Sequence, residues 1–118
     1  MYEINSYKDL DVWKKSMDMV KEIYENTKDF PSEERFGLMS QMRRAAVSIP
    51  SNIAEGFRRG HTKECPQFLR ISLGSCGELE TQAILAKRLG FIKEENEKYF
   101  LESINHISAM LTNLIKKL

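Results

Sequence analysis

Residues 43–60 read RRAAVSIPSNIAEGFRRG. Met42, Ala45, Ala46, Ile49, Ile53 and Gly56 recur at intervals of three and four, the spacing of one buried helical face. Pro50 sits in the middle of that run. An interior proline lacks its own N–H and crowds the carbonyl four residues back, at a cost of about 3 kcal/mol in a straight helix. A bend relieves the crowding, and Ser48 or Ser51 could bond the carbonyl that Pro50 frees. The stretch therefore predicts a helix kinked at Pro50, not one that ends there.

Working outward, the pattern extends this helix over residues 33–59. Ser32 is its N-cap, Glu33 and Glu34 lie in its first turn, and Gly60 stops it. Three further amphipathic segments flank it, and no strand-like alternation competes. The first covers residues 9–28, with Leu10, Trp13, Met17, Val20 and Tyr24 on one face, and ends at the turn DFPS. The third covers residues 63–89, capped by Thr62 and closed by Gly90. Pro66 falls in its tolerant first turn, and Phe68, Ser72, Ser75, Leu79, Ala83 and Ala86 share a face. The fourth covers residues 94–118, with Phe100, Ile104, Ile107, Leu111, Leu114 and Leu118 in line. Acidic residues begin it and Lys116 and Lys117 end it, as the helix dipole favours.

Helices of this length joined by short loops must fold back on one another. The expected architecture is all-α: an up-down-up-down antiparallel four-helix bundle over residues 9–118, preceded by a tail at 1–8. Its 118 residues suit one domain, and 42% apolar content suits a packed core. No apolar run reaches the roughly 18 residues that cross a bilayer, and MYEINSYKDL lacks a secretion signal, so a cytoplasmic protein is expected. Cys65 and Cys76 lie eleven positions apart on one helix, about 16 Å, too far to pair.

There is more apolar surface than a monomer requires. Val47, Pro50 and Ala54 lie beside the main stripe of the second helix. Leu69, Leu73, Cys76 and Ile84 form a second group on the third, with Glu80 projecting among them, and Val12, Met19 and Ile23 do so on the first. Coverage this broad implies burial on two sides, hence a homo-oligomer whose interface includes Val47, Pro50, Ala54, Leu69, Leu73, Glu80 and Ile84. A basic group across that interface would pair Glu80.

Catalytic candidates are few. His61 and Cys65 have ligand spacing, but zinc needs three or four protein ligands and no second Cys/His pair accompanies them. His106 shares a flank with Asn113 and reads as a hydrogen-bonded structural histidine. Glu78 and Glu80 point to different sides of a helix. Gly74 and Gly77 lie within a helical pattern and make no phosphate loop. Arg58 and Arg59 stand too close to His61 for the arginine-histidine spacing of helical RNases. The reading is non-enzymatic, with no cofactor and no metal.

Charge is more informative. Net charge is +1, yet residues 41–63 hold five basic side chains against Glu55 alone, a local +4, while the rest carries 13 basic against 16 acidic, or −3. Arg44, Ser48, Ser51, Asn52, Glu55, Arg58 and Arg59 fall on one polar arc opposite the core stripe, with Arg43 just off it. Glu55 can pair with Arg59 at i,i+4. Arginines interspersed with Ser and Asn suit phosphate and sugar, and with no aromatic on the arc, base stacking is not expected. Arg43, Arg44, Arg58, Arg59 and Lys63 are the candidate contacts to structured RNA or DNA. A protein-interaction scaffold, its arginines facing acidic protein surfaces, is the alternative.

The segment S-I-P-S-N-I-A-E-G (48–56), preceded by Gln41-Met42-Arg43-Arg44-Ala45-Ala46 and followed by Phe57, resembles the core motif of the four-helix bundle proteins encoded in intervening sequences of bacterial 23S ribosomal RNA genes. L-G-S-C-G-E-L-E-T-Q (73–82) resembles that family's second motif. The family is related to the accessory proteins of diversity-generating retroelements, which help a reverse transcriptase and bind nucleic acid. The resemblance implies an up-down bundle assembled into a ring, typically a pentamer, with a basic surface and no catalytic residues. A bacterial accessory protein to a nucleic-acid enzyme is the role it suggests.

Overall fold

In a computed structural model, which describes residues 6–60 and 63–118, the chain forms four helices. They are α1 (Asp11–Thr27), α2 (Leu38–Arg58), α3 (Glu64–Arg88) and α4 (Glu94–Lys117), with no strand among the described residues. Each helix packs on the next, α4 returns to α1, and the α2–α3 contact is the most extensive. Partners run in opposite senses. Ser48 meets Ser75 while Gly56 meets Cys65 across α2–α3, and the start of α4 reaches the end of α1 through Asn96 Nδ2 donating to Asn26 Oδ1 at 2.9 Å. The result is an elongated antiparallel bundle, 47 × 24 × 19 Å.

The centre holds Met19, Ile23, Met42, Ile49, Ile53, Leu69, Leu79, Phe100, Ile104, Ile107 and Leu111, all almost fully buried. The stripes expected on α2 and α4 are therefore the core faces, apart from the exposed terminal Leu118. Gly60 and Gly90 end α2 and α3 at φ +79° and +80°, a conformation other residues rarely adopt. Thr62, the expected cap of α3, lies outside the described residues.

Three details differ from the sequence reading. α1 is turned: Val12, Ser16, Met19, Ile23 and Thr27 face the core, while Met17 and Tyr24 of the expected stripe are 44% and 43% exposed. α2 begins at Leu38, not residue 33, because Ser32–Glu34 form a separate 3-10 turn. The Glu34 carboxylate accepts a hydrogen bond from the Leu38 N–H at 3.0 Å. A Cβ on Gly37 would stand 2.8 Å from that carboxylate oxygen, so a larger residue there would turn the Glu34 side chain away from the Leu38 N–H. Residues 6–8, expected as part of a tail, are docked, with Tyr7 edge-on against Trp13 at 5.6 Å.

α2 runs through Pro50, which is buried inside it. Ser48 does not serve the freed carbonyl; its hydroxyl lies 2.8 Å from that of Ser75 and accepts from Asn52 Nδ2 at 3.0 Å. Ser51 is exposed. Side chains instead brace the carbonyls on the N-terminal side of the proline. Asn52 Nδ2 donates to the Ser48 carbonyl at 2.8 Å and Ser72 Oγ to that of Ile49 at 2.9 Å.

Candidate nucleic-acid interface

The segments 48–56 and 73–82 both lie in the α2–α3 seam and meet at Ser48 and Ser75, while the rest of 48–56 faces residues 65–72. Ser48 meets Ser75, Ser72 reaches Ile49, and Gly56 opposes Cys65 and Phe68, where an added Cβ would sit 3.2 Å from the Cys65 carbonyl oxygen and from Phe68 Cβ. Small residues let the two backbones approach, and the hydroxyls satisfy one another inside the contact. The segments thus hold α2 rigidly while its outer arc faces solvent.

Arg43, Arg44 and Arg58 sit on or beside that arc, Arg59 caps the end of α2 and Lys63 caps the start of α3, and the five are in two different states. Arg43 is tied to α1: Nε donates to Thr27 Oγ1 at 2.9 Å, Nη2 to the Tyr24 carbonyl at 3.3 Å, and the guanidinium lies 4.5 Å from the Tyr24 ring centre. Arg59 is bound by Glu55 at 3.0 Å and Glu64 at 2.8 Å and lies over Phe68. The Glu55 carboxylate, with Glu64 behind it, holds the guanidinium above its usual pKa. Arg44, Arg58 and Lys63 are exposed, and no ion pair joins them to another described residue. Arg44 and Arg58 are fourteen positions apart on α2, about 21 Å. Arg44 borders a polar cleft of about 440 Å³ with Gln41, Ser48 and Glu78.

Arg43 is thus a brace between α1 and α2. Arg43→Ala is expected to lower unfolding stability by about 1–3 kcal/mol in urea denaturation, because it strips partners from Thr27 and the Tyr24 carbonyl. Arg44→Ala should stay within about 0.5 kcal/mol of the parent.

The apolar candidates separate in the same way. Leu69 is fully buried in the subunit's own core and offers nothing to a neighbour. Leu73, Glu80 and Ile84 are half-buried on α3. Val47 is 38% exposed. With Pro50 and Ala54 it lines an open groove of about 320 Å³ whose other wall is Trp13, Met17 and Val20. Exposed apolar surface thus includes the α1–α2 face, and Ile71, Leu85 and Leu89 leave more of it on α3 and at its end.

One group of neighbours was not legible in the sequence. A cleft of about 540 Å³ between the end of α1 and the start of α2 joins Tyr24, Arg35, Phe36 and Ser40 to Arg44 and Ser48 of the basic arc. Aromatic rings thus border the arc after all, supplied by other segments. The only local signal is an aromatic residue between Arg35 and Gly37 in a turn.

Of the catalytic candidates, His61 lies outside the described residues. Cys65 and Cys76 are free and buried, and burial pushes both thiols up. His106 is exposed, with no hydrogen bond to another described residue. The described residues contain no cluster of three His, Cys, Asp or Glu side chains able to hold a metal ion. No described helix is long and apolar enough to cross a membrane.

Residues 8–113 match the family described as 23S rRNA-intervening sequence protein. The chain belongs to that family. A crystal structure of a protein of unknown function from the S23 ribosomal protein family of Bacteroides thetaiotaomicron VPI-5482 is similar, with a TM-score of 0.78 and 24% identity over 89% of this chain and 95% of that one. No curated protein matches the chain. The segments 48–56 and 73–82, which resemble the family's motifs, thus fall on the α2–α3 seam, in positions that build the bundle.

Proposed function

We propose that this 23S rRNA-intervening sequence family member is a non-enzymatic, ring-forming bundle that binds structured RNA or DNA through the outer face of α2. It would act as an accessory to a nucleic-acid enzyme such as a reverse transcriptase. The observation that carries the reading is the split within the basic arc. Arg43 and Arg59 have structural partners, whereas Arg44, Arg58 and Lys63 remain exposed with no carboxylate among the described residues bonded to them. Fixed cations on a rigid helix suit phosphates, and a ring repeats them at set spacing, so that modest contacts add in avidity. The apolar α1–α2 face supports the ring, expected from the resemblance to be a pentamer.

Anisotropy of a labelled RNA hairpin at two salt concentrations tests the reading. Affinity should fall as salt rises, with a log–log slope of about −2 to −3 per engaged subunit from three phosphate contacts. An Arg44→Ala/Arg58→Ala/Lys63→Ala variant should lose most of that slope and at least about tenfold in affinity. Binding that ignores salt, or survives the triple substitution, overturns it. The scaffold reading gains if every captured partner stays attached after nuclease treatment.

A further inference from the structure

Phe36 is 89% exposed, although the turn that carries it is firmly built. The Glu34 N–H donates to the Pro31 carbonyl, Arg35 to Ser32, Gly37 to Glu34 and Gln41 to Gly37, at 2.9–3.2 Å, and the Glu34 carboxylate receives the Leu38 N–H. The ring is thus held out on a fixed support. The Arg35 guanidinium covers it from one side, 5.6 Å from the ring centre. Behind it lies the cleft shared with Tyr24 and Arg44. Three arginines and two serines line that cleft, and no carboxylate is among its lining residues. Arg43 is committed to α1, so Arg35 and Arg44 remain available to an anion.

An open aromatic face beside unpaired guanidinium groups matches a base and its phosphate. An apolar peptide would leave both arginines buried without partners, and an acidic peptide has no use for the ring. A paired base in a duplex hides its faces in the stack. We propose that the cleft between α1 and α2 takes an unpaired nucleotide of single-stranded RNA or DNA, its base stacked on Phe36 and its phosphate held by Arg35 and Arg44. This rests on the nucleic-acid reading above and specifies where unpaired strand is gripped, whereas Arg58 and Lys63 follow the backbone of paired regions. Tyr24, pinned by Arg43, forms the fixed wall of the cleft.

The test compares a short unstructured RNA oligonucleotide with the same sequence annealed to its complement, for the parent chain, Phe36→Ala and Arg44→Ala. Phe36→Ala should weaken the single strand by about tenfold or more and leave the duplex unchanged, since stacking is lost and charge is kept. Arg44→Ala should weaken both. Ultraviolet crosslinking of the single strand should map to the peptide carrying Phe36. Because the ring packs on so little, Phe36→Ala should melt with the parent, and its mass by light scattering should be unchanged. If Phe36→Ala leaves single-strand affinity intact while the duplex still binds, the cleft proposal falls and the nucleic-acid reading stands. If neither form binds, both fall. If the substitution changes the oligomeric mass and not single-strand affinity, Phe36 is a subunit contact and the proposal is overturned.

Discussion

A Gly56→Leu variant is expected to lose about 3 kcal/mol or more of unfolding stability, a large share of the roughly 5–15 kcal/mol that holds a domain together. An added Cβ would lie 3.2 Å from the Cys65 carbonyl oxygen, 3.2 Å from Phe68 Cβ and 3.4 Å from Cys65 Sγ. The first two are backbone and backbone-attached atoms, which cannot swing aside, so α2 and α3 must separate. Separation also stretches the Ser72–Ile49 and Ser48–Ser75 hydrogen bonds further along the seam. Thermal denaturation should show Tm lowered by about 10 °C or more. The contrast lies within the same seam's second segment. Gly74 is exposed, and a Cβ added there would meet nothing within 4 Å, so Gly74→Ala should stabilise by about 0.5–1 kcal/mol through helix propensity alone. Equal melting of Gly56→Leu and the parent would show that close approach at this glycine does not matter.

The bundle was legible because its strongest signals are periodic and local. The stripes of α2 and α4, the glycine stops and the Glu55–Arg59 pair all depend on residues a few positions apart. The orientation of α1 was not, for a physical reason. Its apolar residues cover nearly half the helix circumference, and a hydrophobicity count favours the half bearing Trp13 and Tyr24. Ser16 and Thr27 decide otherwise: Ser16 Oγ donates to the Trp13 carbonyl at 2.8 Å and Thr27 Oγ1 to that of Ile23 at 2.7 Å. Satisfied by their own helix, they enter the core as small side chains at little cost. That turn carries Trp13, Met17, Val20 and Tyr24 outward and creates the groove beside α2. The basic arc was legible as a set, but its division was not. Arg43 and Arg44 are adjacent in sequence, and only the crossing of α1 shows that one braces the fold and the other faces solvent. Phe36 gave no signal because its neighbour Arg44 belongs to a different turn of chain.

The relocated apolar face makes the final prediction. If subunits meet through the α1–α2 groove, a Met17→Lys/Val47→Lys variant should remain folded and fail to assemble. Both side chains are about two-fifths exposed in the single subunit, so lysine there should change subunit stability by no more than about 0.5 kcal/mol per site. In an assembled ring each lysine would be stripped of water without a partner, at several kcal/mol per interface, enough to weaken association by about a thousandfold or more. Light scattering at micromolar concentration should then give the mass of one subunit, where the parent gives a multiple of it. The choice of lysine also separates assembly from charge. Two added cations per chain should strengthen a purely electrostatic contact with RNA, whereas loss of the ring removes the repetition of Arg44, Arg58 and Lys63. A fall in RNA affinity of about a hundredfold despite the added charge would show that binding depends on the assembled array. A parent that is already monomeric, or a variant that keeps the parent's mass, would place the subunit contact elsewhere or nowhere.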